Sequence, residues 1–124
     1  MSFGSTEMSA ALKVSAITDL LDTYASNPAI FDDVVIPQTF TGKKSINFYL
    51  TSQYSSEAEI YDYTINCRAA TMGESRTIAS TVIDTISREN GSNYYIYCEV
   101  LGTISPADSL DNFNTPLTAT IKLK

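Results

Sequence analysis

The side chains able to do covalent or acid–base chemistry are few, and most reactions lack a partner for them. Cys67 and Cys98 are the only thiols, and the chain contains no histidine. A cysteine nucleophile would need a base beside it. Without histidine there is no His-based triad, most catalytic zinc sites are ruled out, and the usual proton shuttle near neutral pH is missing. Carboxylates offer pairs by arithmetic alone. Glu57 and Glu59 project to one face of a strand, Asp32 adjoins Asp33, and Asp108 and Asp111 fall on one turn. Such pairs act as acid and base only when a cleft separates their pKa values. The Asp108–Asp111 pair could share a cation, but a helix cap plus a solvated loop charge is the simpler reading. The five glycines are scattered, and neither GxGxxG nor GxxxxGK[ST] occurs. We therefore expect no enzyme, no cofactor and no metal.

The chain has 124 residues, one domain's worth, spanning 1–124. Fourteen acidic side chains against eight basic ones give a formal charge of −6. That balance argues against a protein that coats nucleic acid, which needs a basic footprint. Met1 to Glu7 shows no basic stretch followed by an apolar one, so no signal peptide is expected. No apolar run approaches the roughly 20 residues of a membrane span. Both cysteines lie in strand-like segments, which suits free buried thiols. The expected setting is the cell interior or something assembled there.

The elements that must position these groups follow from periodicity. Met8, Leu12, Ala16, Leu20 and Tyr24 recur every fourth residue, so Ser5–Tyr24 reads as one amphipathic helix. Ser5 or Thr6 would cap it, and Asn27-Pro28 would end it. Val34-Val35-Ile36 suggests a short edge strand, followed by a loop tip at Thr41–Lys44. Ser45–Thr51 and Glu59–Arg68 alternate cleanly and predict an antiparallel hairpin, with Ser52–Ser56 as its loop. Tyr61, Tyr63, Ile65 and Cys67 share one face of the second strand. Thr71–Arg88 reads as a second helix, with Thr71 and Glu74 in capping-box spacing and Asn90-Gly91 as the stop. Asn93–Gly102 is apolar or aromatic on both faces and predicts a central strand. Ser105–Asp108 suggests a capped turn, and a polar loop continues to Asn114. Thr115–Leu123 is the last strand, with Pro116 at its start or on an edge. The order is α-β-β-β-α-β-β. It predicts an α+β fold with a four- or five-stranded mixed or antiparallel sheet and two helices packed on one face.

Tyrosine is the unusual residue type here. Tyr61, Tyr63, Tyr94, Tyr95 and Tyr97 crowd two strands, and tyrosine suits protein interfaces as well as sheet surfaces. Candidate partner-interface residues are Phe40, Lys43, Lys44, Tyr61, Tyr63, Tyr95, Tyr97, Asp108, Asp111 and Phe113.

Taken together, residues 8–123 resemble the tail-terminator (tail-completion) neck proteins of long-tailed bacteriophages. The resemblance rests on the exit Asn27-Pro28-Ala29-Ile30-Phe31, the strand Ser45–Thr51, and the strand Tyr61–Ala69 running straight into the second helix. An aromatic strand, an Asp-containing loop at Pro106–Asn114 and a strand at Leu117–Lys122 complete it. The resemblance implies a ring, typically of six copies, in the virion neck and assembled in the host cytoplasm. Its partners would be its own copies, the tail-tube protein, and head-completion or connector proteins. DNA would pass through without specific binding, for which a negative lumen is suitable, and no membrane is involved. Alternatives are a head-closure or head-to-tail joining protein, and a small cytosolic ligand-binding domain using an open sheet face.

Overall fold

A computed structural model describes residues 3–55, 59–87, 89–90, 94–100 and 113–123. The expected turn at Ser105–Asp108 lies outside these residues, as do Glu57, Asp108 and Asp111. The fold is α+β, as predicted. Helix α1 spans Ser5–Leu12 and helix α2 spans Ser15–Thr18. A two-strand hairpin follows, β1 (Thr23–Tyr24) against β2 (Asn27–Pro28). Then come β3 (Ile30–Asp32), a 3-10 turn at Gln38–Phe40, β4 (Ser45–Ser55) and β5 (Ile60–Ala69). Helix α3 (Met72–Ile86), β6 (Glu89–Asn90), β7 (Tyr94–Val100) and β8 (Phe113–Leu123) complete the order. The main sheet runs β3-β4-β5-β8-β7-β6. Only the β3–β4 pair is parallel. Five strands make the body of this sheet, and the two-residue β6 extends it to six.

Alternation in the strands separates two faces. Ile46 and Phe48 of β4 point to one side with Tyr61, Tyr63, Ile65, Cys67 and Ala69 of β5. Leu117, Ala119 and Ile121 of β8 and Ile96 and Cys98 of β7 join them, and all are buried. Onto this face α1 packs Met8, Ala11 and Leu12, α2 packs Ile17, and α3 packs Ile78, Ala79, Val82 and Ile86. Helix α3 has poor intrinsic propensity because of its Thr and Ile content, so its packing on the sheet holds it. Its start is as expected. The Glu74 N–H donates to Thr71 Oγ1 at 3.2 Å, and that hydroxyl donates to Glu74 Oε1 at 2.9 Å. Ser75 on the buried side bonds Thr115 of β8 across 2.8 Å.

Several expectations are corrected, the first being the loop at Ser52–Ser56, where β4 instead runs on to Ser55. The single helix Ser5–Tyr24 breaks after Leu12, where Val14 is extended, and Tyr24 belongs to a hairpin. Long-range bonds hold the chain out of helical geometry there. The Asp22 N–H donates to Lys44 O at 2.9 Å, and Asp22 Oδ2 accepts from the Lys44 N–H at 2.7 Å. The parallel edge strand is Ile30–Asp32, not Val34–Ile36, because Ile30 can follow Ile46 in register and reach the core. The tyrosine-rich β7 sits next to the edge, and β5 and β8 are central. Asn90 is not a helix stop but pairs with Tyr95. Pro116 stands inside β8. It is one residue past Leu117, where the described β7 pairing ends, so a missing N–H is tolerated on that side.

Helix α1 begins at Gly4, without a side-chain cap from Ser5 or Thr6. Gly4 has φ 85°, and a Cβ there would sit 2.9 Å from Ile121 Cγ2. Left-handed backbone and close approach to β8 both require glycine. Gly4→Ala is therefore expected to lower stability by about 1–3 kcal/mol, read from urea unfolding followed by circular dichroism.

Candidate functional site

The strands carry a second face, opposite the helices, and it divides into a buried polar part and an exposed aromatic part. In one row Ser45 of β4, Arg68 of β5 and Asn114 of β8 lie side by side, with Asn47, Asn66 and Pro116 in the next. All six are buried. Alternation placed Asn47 correctly off the core face, but its burial was not expected from a strand read as half solvated. Arg68 Nε donates to Asn47 Oδ1 at 2.9 Å. Asn47 Nδ2 in turn donates to the carbonyls of Asp33 (3.0 Å) and Val34 (3.2 Å). Asn114 Nδ2 donates to Asn66 Oδ1 at 3.0 Å. The chain Arg68–Asn47–carbonyl thus pins the 33–34 segment against the edge of β4. Asp33 Oδ1 adds a bond from the Val34 N–H at 2.7 Å.

Where β3 gives way to this clamp, Val34 and Val35 turn outward, 60% and 68% exposed. Towards the far side of the sheet, on the strand next to its edge, Tyr95 and Tyr97 face out, 42% and 51% exposed. Their cross-strand neighbours on β8 are Lys122 and Thr120. Thr120 Oγ1 donates to Asp62 Oδ1 at 2.6 Å.

The expected interface residues therefore separate. Tyr95 and Tyr97 are surface groups, and Lys43 is exposed. Tyr61 and Tyr63 are not available to a partner, because they share the core face with Ile65 and Cys67. The Tyr61 ring meets Phe3 edge-on at 5.6 Å, and the Tyr63 hydroxyl donates to the Phe3 carbonyl at 2.8 Å. Phe40 is likewise buried, in an edge-to-face cluster with Tyr24 and Phe31 at 5.5 and 5.8 Å. Lys44 is half-buried through its backbone bonds to Asp22, and Phe113 is half-buried opposite Ala69. Val34, Val35, Asn47 and Arg68 were not singled out as site residues. A consecutive Val-Val beside two aspartates was the available signal for the first two.

Among the described residues no group of three or more Cys, Asp or Glu is arranged to hold a metal. Cys67 and Cys98 are free and buried. Burial raises both thiols, Cys98 to about 12 and Cys67 further, so neither supplies a thiolate at neutral pH. Of the aspartate pair, Asp32 is raised by burial and then by Asp33. Two open grooves lie elsewhere. One of about 470 Å³ is lined by Leu20, Lys44 and the start of α3, and one of about 660 Å³ by Lys13, Thr18 and the β1–β2 hairpin. No helix of the described residues is long and apolar enough to cross a membrane. No protein-family model matches the chain, and no curated protein is similar to it in sequence.

Two measurements probe this arrangement. Asn47→Ala leaves a buried guanidinium donor and two carbonyls without their partner. It is expected to cost about 2–3 kcal/mol in equilibrium unfolding and to expose the 33–35 segment to proteolysis. The second concerns alkaline pH. Burial first, then Asp32, Glu7 and Tyr61, push the Tyr63 hydroxyl from 10 up to about 12. The unfolded chain therefore releases this proton before the folded one does. The contribution is intact below pH 10 and is lost as pH rises towards 12. Urea midpoints are expected to fall across that interval, and Tyr63→Phe should flatten the fall.

Proposed function

We propose that this chain is a structural ring subunit of the neck of a long-tailed bacteriophage. In this reading it caps the end of the tail tube, stops tube growth and forms the surface that the head meets. The single observation that carries the reading is the outward, exposed pair Tyr95 and Tyr97 on the sheet face opposite the helices. Tyrosine there gives large contact area at low conformational cost, as subunit interfaces favour. The resemblance in element order supports it, from the Asn27–Phe31 exit through β5 running into α3 to the final strand. So does the net charge of −6, which suits a ring that lets DNA pass without gripping phosphate. In the virion such a ring, of six copies, touches tail-tube protein on one side and head-completion or connector proteins on the other.

Native mass spectrometry of the purified chain and negative-stain microscopy of assembled particles test this. The expected result is a closed oligomer whose ring sits at the head-proximal end of the tail, together with capture of tail-tube protein in pull-downs. A strict monomer at high concentration, with no ring in virions, would overturn it. Capture of portal or adaptor protein instead of tail-tube protein would move the chain to a head-closure role.

A further inference from the structure

The most exposed large apolar side chains described in the chain are Val35 and Val34, with Tyr97 next. The valines and tyrosines occupy opposite sides of one sheet, the tyrosines on the strand next to its edge. Val34 lies beside β4, while Tyr95 and Tyr97 lie on β7, with β5 and β8 between. Three strand spacings, about 14 Å, separate β4 from β7, so one copy cannot cover its own tyrosines with its own valines. We propose that the Val34-Val35 corner of one copy seats on the Tyr95–Tyr97 ledge of the next copy, as a head-to-tail contact. This proposal rests on the ring reading above and names the surfaces that would close it.

Three observations select a second copy as the occupant. The two patches differ in shape and chemistry, a small aliphatic corner and a flat aromatic ledge, so the contact is heterologous. A heterologous contact propagates, and it closes into a ring when its rotation allows. The flanking charges offer one complementary pairing: Asp32 and Asp33 precede the valines, and Lys122 stands beside Tyr95, while Asp62 beyond Tyr97 is engaged by Thr120. Asp32 is raised first by burial and then by Asp33, and a lysine from another copy would offset the second of these. Glu99 also lies on the ledge side, next to Tyr97 along β7, which favours seating towards the Lys122 end. Finally, the corner is rigid in advance. The Arg68–Asn47 pair fixes the backbone at 33–34, so little ordering entropy is lost on docking.

Cysteine crosslinking reads the contact directly, because the native thiols Cys67 and Cys98 are buried and do not compete. Val35→Cys and Tyr97→Cys together in one chain are expected to give a ladder of covalent oligomers on mild oxidation. Either substitution alone should give none, and a mixture of the two single variants should stop at dimers. Circular dichroism melting confirms that each variant is folded. In parallel, Val34→Ser with Val35→Ser is expected to raise the concentration for half-assembly by about tenfold or more, with melting unchanged. Crosslinking by Val35→Cys alone would show a two-fold contact and overturn the proposal. An intact wild-type ring with no ladder from the double variant would overturn this contact and leave the ring reading standing. A wild-type chain that stays monomeric would overturn both.

Discussion

The register between β5 and β8 is the constraint on which the other features depend. It runs without interruption from Ile60 opposite Lys122 to Ala69 opposite Phe113. Odd-numbered residues of β5 enter the helix-covered core, and Asp62, Thr64, Asn66 and Arg68 enter the opposite face. A slip of one residue would drive Asp62, Asn66 and Arg68 into apolar surroundings and expel Tyr61, Tyr63, Ile65 and Cys67 from theirs. The helices, the Phe3 contacts to the two tyrosines, and the clamp on residues 33–34 all take their places from that one alignment.

The two faces are stabilised differently. On the helix side the strands contribute area, and aromatic and aliphatic packing holds α1, α2 and α3. On the other side the stabilising groups are directional. Arg68, Asn47, Asn66 and Asn114 link β4, β5 and β8 through side-chain bonds. Buried polar groups of this kind are costly unless paired, so they discriminate among alternative arrangements more than they add net stability. At Asn47 the discrimination has an output. The same amide that satisfies the sheet face also decides where the chain leaves β3, and so where Val34 and Val35 point.

Much of this was legible from residue order. β4, β5 and β8 announced themselves by alternation, and α3 by its capping box. The core position of Tyr61 and Tyr63 was also present in that alternation, since they share parity with Ile65 and Cys67. Their residue type pointed the other way, towards an interface, and parity prevailed. What could not be read was tertiary. The four-residue spacing from Met8 to Tyr24 continues past Leu12, where α1 ends, and past α2, beyond which Asp22 is held by the backbone of Lys44, far along the chain. Nor does Val34-Val35-Ile36 show that it loses the edge position to Ile30–Asp32, since that choice is made by register with Ile46–Phe48. The exposed part of the candidate site was half visible: Tyr95 and Tyr97 were singled out, the valines were not. The Arg68–Asn47 clamp depends on three strands and a loop meeting, and local sequence carries no trace of it.

The placement of β8 has a consequence in time. It is the final strand in chain order, yet it fills the gap between β5 and β7. Until it arrives, β5 and β7, with their aromatic and aliphatic faces, have no common neighbour, and α3 has only part of a surface to lie on. Closing that gap joins residues about fifty positions apart, which makes the folding nucleus non-local and slow to assemble. A chain still being synthesised therefore carries the open edge of β5 from the completion of that strand until β8 emerges, joined by that of β7 late in elongation. That is the interval in which chaperone engagement, or misassembly with another nascent copy, would compete with folding.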